Sequence, residues 1–126
     1  MPNHSYQRRK FEAKALAEMK SYGYHVTKSG ASKIPDLIGL ATPELKDPFN
    51  RTNKTLVVEV CAKSALASHR RDMKRLNLSG TKIRQEIWSY KPVKSASGKV
   101  MSFDRTRELI PNADAQQLFK EKNPIT

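Results

Sequence analysis

The chain has 126 residues, and its 24 lysines and arginines against 12 aspartates and glutamates give a formal charge of +12. This length fits one domain, residues 1–126, and is too short for two domains that each have a hydrophobic core. The charge favours a polyanionic partner, nucleic acid before membrane. A lone cysteine excludes an intramolecular disulfide framework and indicates a reducing compartment. Because no stretch resembles a signal peptide or a membrane span, we expect a cytoplasmic protein with no membrane partner.

The first predicted elements are a helix and two strands. Residues 5–23, "SYQRRKFEAKALAEMKSYG", have helical periodicity and end at a glycine. The apolar stripe of this helix consists of Phe11, Ala15, Met19 and Tyr22. Residues 24–29, "YHVTKS", and 34–41, "IPDLIGLA", are predicted to be strands. A polar loop follows, in which Glu44 and Asp47 are interpreted as solvated charges.

The second half of the chain continues the alternation of strands and helices. Residues 55–63, "TLVVEVCAK", are the most strand-like stretch, since they are β-branched and apolar. Residues 68–78 predict a helix with a basic surface, and residues 84–93 and 98–104 predict a terminal hairpin. Residues 114–122 are interpreted as a short amphipathic helix or a frayed tail. The pattern therefore predicts one α/β unit.

Two acidic residues stand in the apolar strands, where an uncompensated charge is costly. Alternate residues of a strand face the same way, so Glu59, Cys61 and Lys63 are expected on one face, and Asp36 begins the neighbouring strand. Two carboxylates in such a setting repel each other, and Mg²⁺ or Mn²⁺ would relieve the repulsion. The cation can polarise a phosphoryl oxygen and activate water, while a lysine stabilises developing charge. The pattern predicts metal-dependent hydrolysis of phosphodiester bonds.

Five segments follow one another in this chain: a helix with "FE", a strand, the segment "SGASKIPDLIG", the strand "LVVEVCAKS" and a basic helix. This order resembles the PD-(D/E)xK nuclease superfamily, and within it the archaeal-type Holliday-junction resolvases and their viral relatives. The resemblance covers about residues 6–110 and leaves 111–126 as a C-terminal helix or tail. It implies a restriction-endonuclease-like mixed sheet flanked by helices, with an αβββαβ core. It also implies a Mg²⁺-dependent endonuclease, a homodimer that cuts branched DNA in recombination or repair, in the host cytoplasm if the source is viral.

The resemblance assigns roles to individual residues. Glu12 matches the helical glutamate that helps to bind the metal, Asp36 the metal-binding aspartate, and Glu59 the metal-binding acid of the second half of the motif. Ser29 and Ser32 match small polar residues that approach the scissile phosphate. No glycine-rich phosphate loop is present, so no nucleotide cofactor is expected.

The motif departs from the family pattern at Cys61, which occupies the place of the lysine two residues after the acid. In one alignment Glu59 is the acid and its lysine has moved to Lys63. In the other, "CAK" occupies the motif, so that Cys61 replaces the acid. We favour the first alignment because it keeps the metal ligand. Because of this departure, one alternative is a DNA-binding protein on the same scaffold that has lost catalysis. A further alternative is a nuclease of the same fold that acts on duplex, flap or single-stranded DNA.

Basic and small polar residues on either side of this motif are expected to contact the phosphate backbone. They are Arg8, Arg9, Lys10, Ser29 and Lys33 on one side, and Arg70, Arg71 and Lys74 on the other. Cys61 is interpreted as buried packing rather than as a nucleophile, and His69 as a contact to phosphate or solvent. Trp88 and Tyr90 could stack on bases, but core or dimer packing is favoured for at least one of them.

Overall fold

The computed structural model describes residues 4–29, 35–75 and 83–111. The chain order is α1 (His4–Ser21), β1 (Tyr24–Lys28), β2 (Leu37–Ala41), β3 (Thr55–Ala62), a 3₁₀ turn (Lys63–Ala65), α2 (Leu66–Arg75), β4 (Ile83–Lys94) and β5 (Val100–Ile110). Neither helix of these segments is long and apolar enough to cross a membrane. The C-terminal helix or tail predicted from residue 111 onward lies almost wholly outside the described residues.

The strands form one five-stranded sheet in the order β1-β2-β3-β4-β5. Only β3 and β4 are parallel, since α2 carries the chain back between them, and every other neighbouring pair is antiparallel. The predicted α/β class, a mixed sheet flanked by helices, is confirmed. The expected αβββαβ order is observed, and β5 completes the terminal hairpin.

The central strand β3 is buried on both of its faces. Leu56, Val58 and Val60 pack in the core under α1, while Val57 and Cys61 pack with Met73 of α2 on the opposite face. The near-continuous apolar run of this strand follows from that double burial. As a result, Glu59 lies within a strand that offers a charge little contact with water.

The turn between α1 and β1 requires a glycine. Gly23 has a φ of 95°, and a Cβ there would lie 2.5 Å from the carbonyl oxygen of Glu44. A side chain at this position would therefore be both strained and in collision with the loop after β2. This close approach packs that loop against the end of α1.

The loop after β2 carries a buried ion network, so the interpretation of Asp47 as a solvated charge is wrong. Two nitrogens of Arg107 donate to the Asp47 carboxylate at 2.8 and 2.9 Å, and the Tyr24 hydroxyl donates to it at 2.6 Å. Arg107 also donates twice to Glu86, at 2.6 and 2.7 Å, and Glu86 accepts from the Trp88 indole at 3.0 Å. The charge is buried because its partner comes from β5. Glu44, in contrast, is exposed as expected.

Candidate functional site

Three carboxylates from separate elements meet beside the end of the sheet where β2 begins. Leu37 pairs with Val58 in the antiparallel register, which sets Asp36 opposite Glu59. Both side chains are buried, with residue exposures of 5% for Asp36 and 1% for Glu59. The Asp36 carboxyl interacts with the carboxyls of both Glu59 and Glu12, the latter on α1. The three acids that the resemblance selects therefore form one cluster.

Burial and the neighbouring Asp36 carboxylate shift the titration of Glu59 and Glu12. Burial raises the pKa of Glu59, and the neighbouring Asp36 raises it further, while His69 works in the opposite direction. The pKa of Glu12 is raised as well, first by burial and then by Asp36, against the charge of Arg8. The cluster thus holds more negative charge than its surroundings accommodate well.

Two basic side chains and one backbone amide compensate part of that charge. The Arg8 guanidinium donates to Asp36 Oδ1 at 2.7 Å, and its Nε lies 3.5 Å from a Glu12 oxygen. The Val60 N–H donates to Asp36 Oδ2 at 2.7 Å, and His69 Nδ1 lies 2.7 Å from Glu59 Oε2. Among the described residues, Glu59 Oε1 is buried without a hydrogen-bond donor.

The cluster offers the donor atoms that a hard divalent cation prefers, but not, among the described residues, an arrangement that could hold one. In the described segments, no group of three or more His, Cys, Asp or Glu side chains stands in an arrangement that could hold a metal ion. The cluster nevertheless supplies carboxylate oxygens, the ligands that Mg²⁺ prefers, and the unpartnered Oε1 of Glu59 is one of them. Arg8 is the group that competes with a cation for Asp36.

Lys63 makes no ion pair with this cluster, and its sharing of the strand face of Glu59 stays a prediction. The strand β3 ends at Ala62, whose backbone is still extended, and Lys63 opens the 3₁₀ turn. Its side chain is exposed, and no carboxylate of the described residues lies within ion-pair distance of it. The lysine expected beside the acids is therefore absent from the described part of the site.

Cys61 is buried packing, as the sequence predicts. It is 3% exposed and lies in the core cluster under α2, and burial together with Glu59 raises the pKa of its thiol to about 12. A thiol with this environment is a poor nucleophile at neutral pH.

We therefore expect the native thiol to resist modification. At pH 8, iodoacetamide should label native Cys61 at least ~10²-fold more slowly than the urea-unfolded chain, since only the thiolate reacts and burial suppresses it. Mass spectrometry of timed samples measures both rates. Equal rates in the two states would contradict the burial of this side chain.

His69 is the residue that sequence reasoning missed. Its interpretation as a contact to phosphate or solvent is incomplete, because Nδ1 contacts Glu59 and the side chain is only 20% exposed. Its pKa is raised, chiefly by the hydrogen bond to Glu59. The helical spacing of Leu66, His69 and Met73 was the available signal, since positions three and four apart share a face.

The predicted phosphate contacts fall into different environments. Arg8 belongs to the carboxylate cluster, and Arg70 donates twice to Glu108 of β5, at 2.6 and 2.7 Å. The Ser29 hydroxyl donates to the Pro35 carbonyl. The exposed members of the set are Arg9, Lys10, Arg71 and Lys74. Ser32 and Lys33 lie outside the described residues.

Trp88 and Tyr90 are both core residues. Their exposures are 0% and 3%, and the Tyr90 ring stacks on Phe11 with 4.9 Å between ring centroids. Base stacking is therefore not available to either ring in this structure, and the preference for packing is confirmed.

A cavity of about 200 Å³ lies beside the carboxylates, between α1, the end of β3 and α2. Arg8 and His69, the two compensating side chains, both line it, as does Ala62. The cluster thus has a small space next to it in which a reacting group can be held.

In comparisons with known proteins, no family model matches the chain, and no curated protein or solved structure shows significant similarity to it. The family assignment consequently stays a proposal.

Proposed function

We propose that the protein is a metal-dependent DNA endonuclease that hydrolyses phosphodiester bonds in branched DNA such as a Holliday junction. The observation that carries the proposal is the meeting of Asp36 and Glu59, both buried, with the partly exposed Glu12 in a chain with a charge of +12. Clustered, desolvated carboxylates lower the stability of a fold, and a bound cation would offset that cost. The order of helices and strands agrees with the fold expected for this class.

The roles of the individual side chains follow from their contacts. Asp36 and Glu59, with Glu12, would hold Mg²⁺ or Mn²⁺, and the bound cation would polarise a phosphoryl oxygen and acidify water. The Val60 N–H orients one oxygen of Asp36, and His69 orients one oxygen of Glu59 so that Oε1 stays available. Arg8, beside both acids, can bind the substrate phosphate in place of Asp36 and stabilise developing negative charge.

The missing lysine supports a second candidate, a DNA-binding protein on the same scaffold without catalysis. Cys61 fills the position of the motif lysine, and Lys63 lies outside the cluster. The proposal of a nuclease includes duplex, flap or single-stranded DNA as alternative substrates. The same proposal includes a homodimer with two symmetric sites and a role in recombination or repair. It also includes a cytoplasmic location, which is the host cytoplasm if the source is viral.

The deciding experiment incubates the protein with labelled four-way junction, duplex and single-stranded DNA in Mg²⁺, Mn²⁺ or EDTA. We expect the junction to be cut in the presence of either metal and only bound in EDTA. An Asp36→Asn protein purified in parallel controls for contaminating nucleases. Binding without cleavage in either metal would favour the second candidate, and cleavage in EDTA would contradict the metal-dependent mechanism.

A further inference from the structure

The hairpin of β4 and β5 extends beyond the rest of the sheet. The pairing of β3 with β4 ends at Ala62 and Tyr90, whereas β4 and β5 stay paired as far as Lys94 and Val100. Gly98 turns the chain with a φ of 87°, and a Cβ there would meet no atom within 4 Å. Residues 91–104, named the ribbon here, therefore form a two-stranded projection, and all but two of its side chains are exposed.

The ribbon is basic, and its base is anchored on α1. Lys91, Lys94 and Lys99 are exposed along it, against one acid, Asp104. Phe103 packs edge-on against the Phe11 ring, with 5.1 Å between their centroids. This anchor matters because a two-stranded ribbon is at best marginally stable by itself in water. The ribbon is thus held in place while its charges stay in solvent.

A cleft of about 690 Å³ lies between the ribbon and the 3₁₀ turn. Lys63, Lys91 and Lys94 are three of its seven lining residues, and none of the seven is acidic. In the described segments no carboxylate forms an ion pair with any of these lysines. Three ammonium groups around one cleft repel each other, and an anion between them removes the repulsion.

The cleft shares a lining residue with the cavity beside the carboxylate cluster. Ala62 lines the cleft and also the cavity of about 200 Å³ that Arg8 and His69 line. A polyanion bound along the ribbon and the cleft would therefore lie next to that cavity. A two-stranded ribbon also has the dimensions that the major groove of duplex DNA admits.

We infer that the ribbon and the cleft bind the phosphate backbone of a duplex DNA arm, and that Lys63 contacts phosphate instead of taking part in the chemistry. This inference rests on the proposed function for its ligand, DNA. The inference differs from the proposed function in its residues and in its readout. It is tested by DNA affinity and its salt dependence, whereas the proposed function is tested by bond hydrolysis. It also gives Lys63 a role that agrees with its exposure.

The test compares two triple variants that remove equal charge from opposite ends of the sheet. The cleft variant carries Lys63→Gln, Lys91→Gln and Lys94→Gln. The control variant carries Lys20→Gln, Lys46→Gln and Lys54→Gln, three exposed positions at or near the end of α1 and the start of β3. Fluorescence anisotropy with a labelled duplex, in EDTA and at several salt concentrations, measures Kd. Circular dichroism melts check that both variants fold.

In the cleft variant we expect the slope of log K against log salt to fall by about 2.7, at about 0.9 per lost phosphate contact. The affinity at 0.1 M salt should fall by about 10²-fold or more on the same basis. The control variant should keep the wild-type slope. An unchanged slope in the cleft variant, or an equal fall in the control, would overturn the inference even if the wild-type protein cuts DNA.

A single variant, Lys63→Ala, separates this inference from the proposed chemistry. Its Kd for labelled junction in EDTA should rise and its salt slope should fall by about 0.9, because the side chain contacts phosphate. A ~10²-fold slower cleavage rate with unchanged Kd, the size of effect common for a lost preorganised charge, would return Lys63 to the chemistry and overturn its assignment. If no protein cuts DNA, the proposed function fails, and the anisotropy result still decides the role of the cleft.

Discussion

Asp36→Asn or Glu59→Gln should slow cleavage by at least about 10³-fold, while DNA binding in EDTA stays largely unchanged. A bound metal stabilises transition-state charge by several kcal/mol, and each ~1.4 kcal/mol is a tenfold change in rate. Binding is preserved because the phosphate contacts come from other residues. Single-turnover cleavage and anisotropy in EDTA measure the two quantities. Glu44→Gln is the matched control, since Glu44 is an exposed carboxylate. Cleavage at the wild-type rate in both variants would show that the cluster is not the active site.

The thermal stability of the metal-free protein distinguishes a catalytic role from a structural one. Burial and Asp36 raise the pKa of Glu59 in the folded protein, so its ionisation weakens the fold as the pH rises from the unfolded toward the folded pKa. Glu59→Gln removes that charge, and its amide oxygen can still accept a hydrogen bond from His69. The Tm in EDTA at neutral pH should therefore hold or rise. A large fall in Tm would show that the charged pair with His69 stabilises the fold.

Arg107→Ala should lower the free energy of unfolding by about 3–5 kcal/mol, the usual cost of leaving buried charges without their partner. Arg107 is the shared partner of Asp47 and Glu86, whose exposures are both 1%. Urea unfolding followed by circular dichroism measures the loss. Arg105→Ala is the control, because Arg105 and Glu18 are each 24% exposed, so water can solvate the charge left behind and the loss should be smaller. Equal losses of unfolding free energy in the two variants would show that the buried network stabilises the fold no more than the partly exposed pair does.

The stability of Arg107→Ala should depend less on acid pH than that of the wild type. Burial raises the pKa values of Asp47 and Glu86, but the partners of the two acids outweigh it, and both values are lowered. Arg107 has the largest effect of these partners, which also include Tyr24 and Phe49 at Asp47 and Arg84 at Glu86. This stabilisation is present above the unfolded pKa and is lost as the pH falls through the folded pKa. Without Arg107, Asp47 keeps its hydrogen bonds from Tyr24 and Phe49, and Glu86 keeps Arg84, but burial is opposed more weakly. The variant should therefore lose less stability than the wild type as the pH falls. Parallel pH profiles would contradict this account.

Local sequence patterns predicted the parts of the structure that local chemistry decides. The apolar run of 55–63 marks a strand, and Asp36 and Glu59 stand out because a buried strand tolerates few charges. The position of Lys63 is harder to predict, because the end of a strand depends on where the following helix packs, and a shift of one residue reverses the direction of a side chain. Pattern alone does not resolve such a boundary.

Asp47 and His69 illustrate a different limit. The residues near Asp47 in the sequence do not indicate that its side chain is buried, because its partner Arg107 is 60 positions away. The burial of a charge is then decided by the tertiary pairing of a loop with β5. His69 carried a helical signal, but its partner Glu59 became evident only when α2 was seen against the sheet.

The bond between Asp47 and Arg107 also constrains when the protein can fold during its synthesis. A ribosome that has made the chain through β3 has produced the acids of the cluster and the loop, but neither β4 nor β5. Until Arg107 emerges, Asp47 has no guanidinium to bind, and β3 lacks its parallel neighbour β4. Contacts this far apart in sequence slow folding and leave the unpaired edge of β3 open to other chains. Nascent chains halted before residue 107 should therefore be protease-sensitive, and folding should complete only after translation has passed β5.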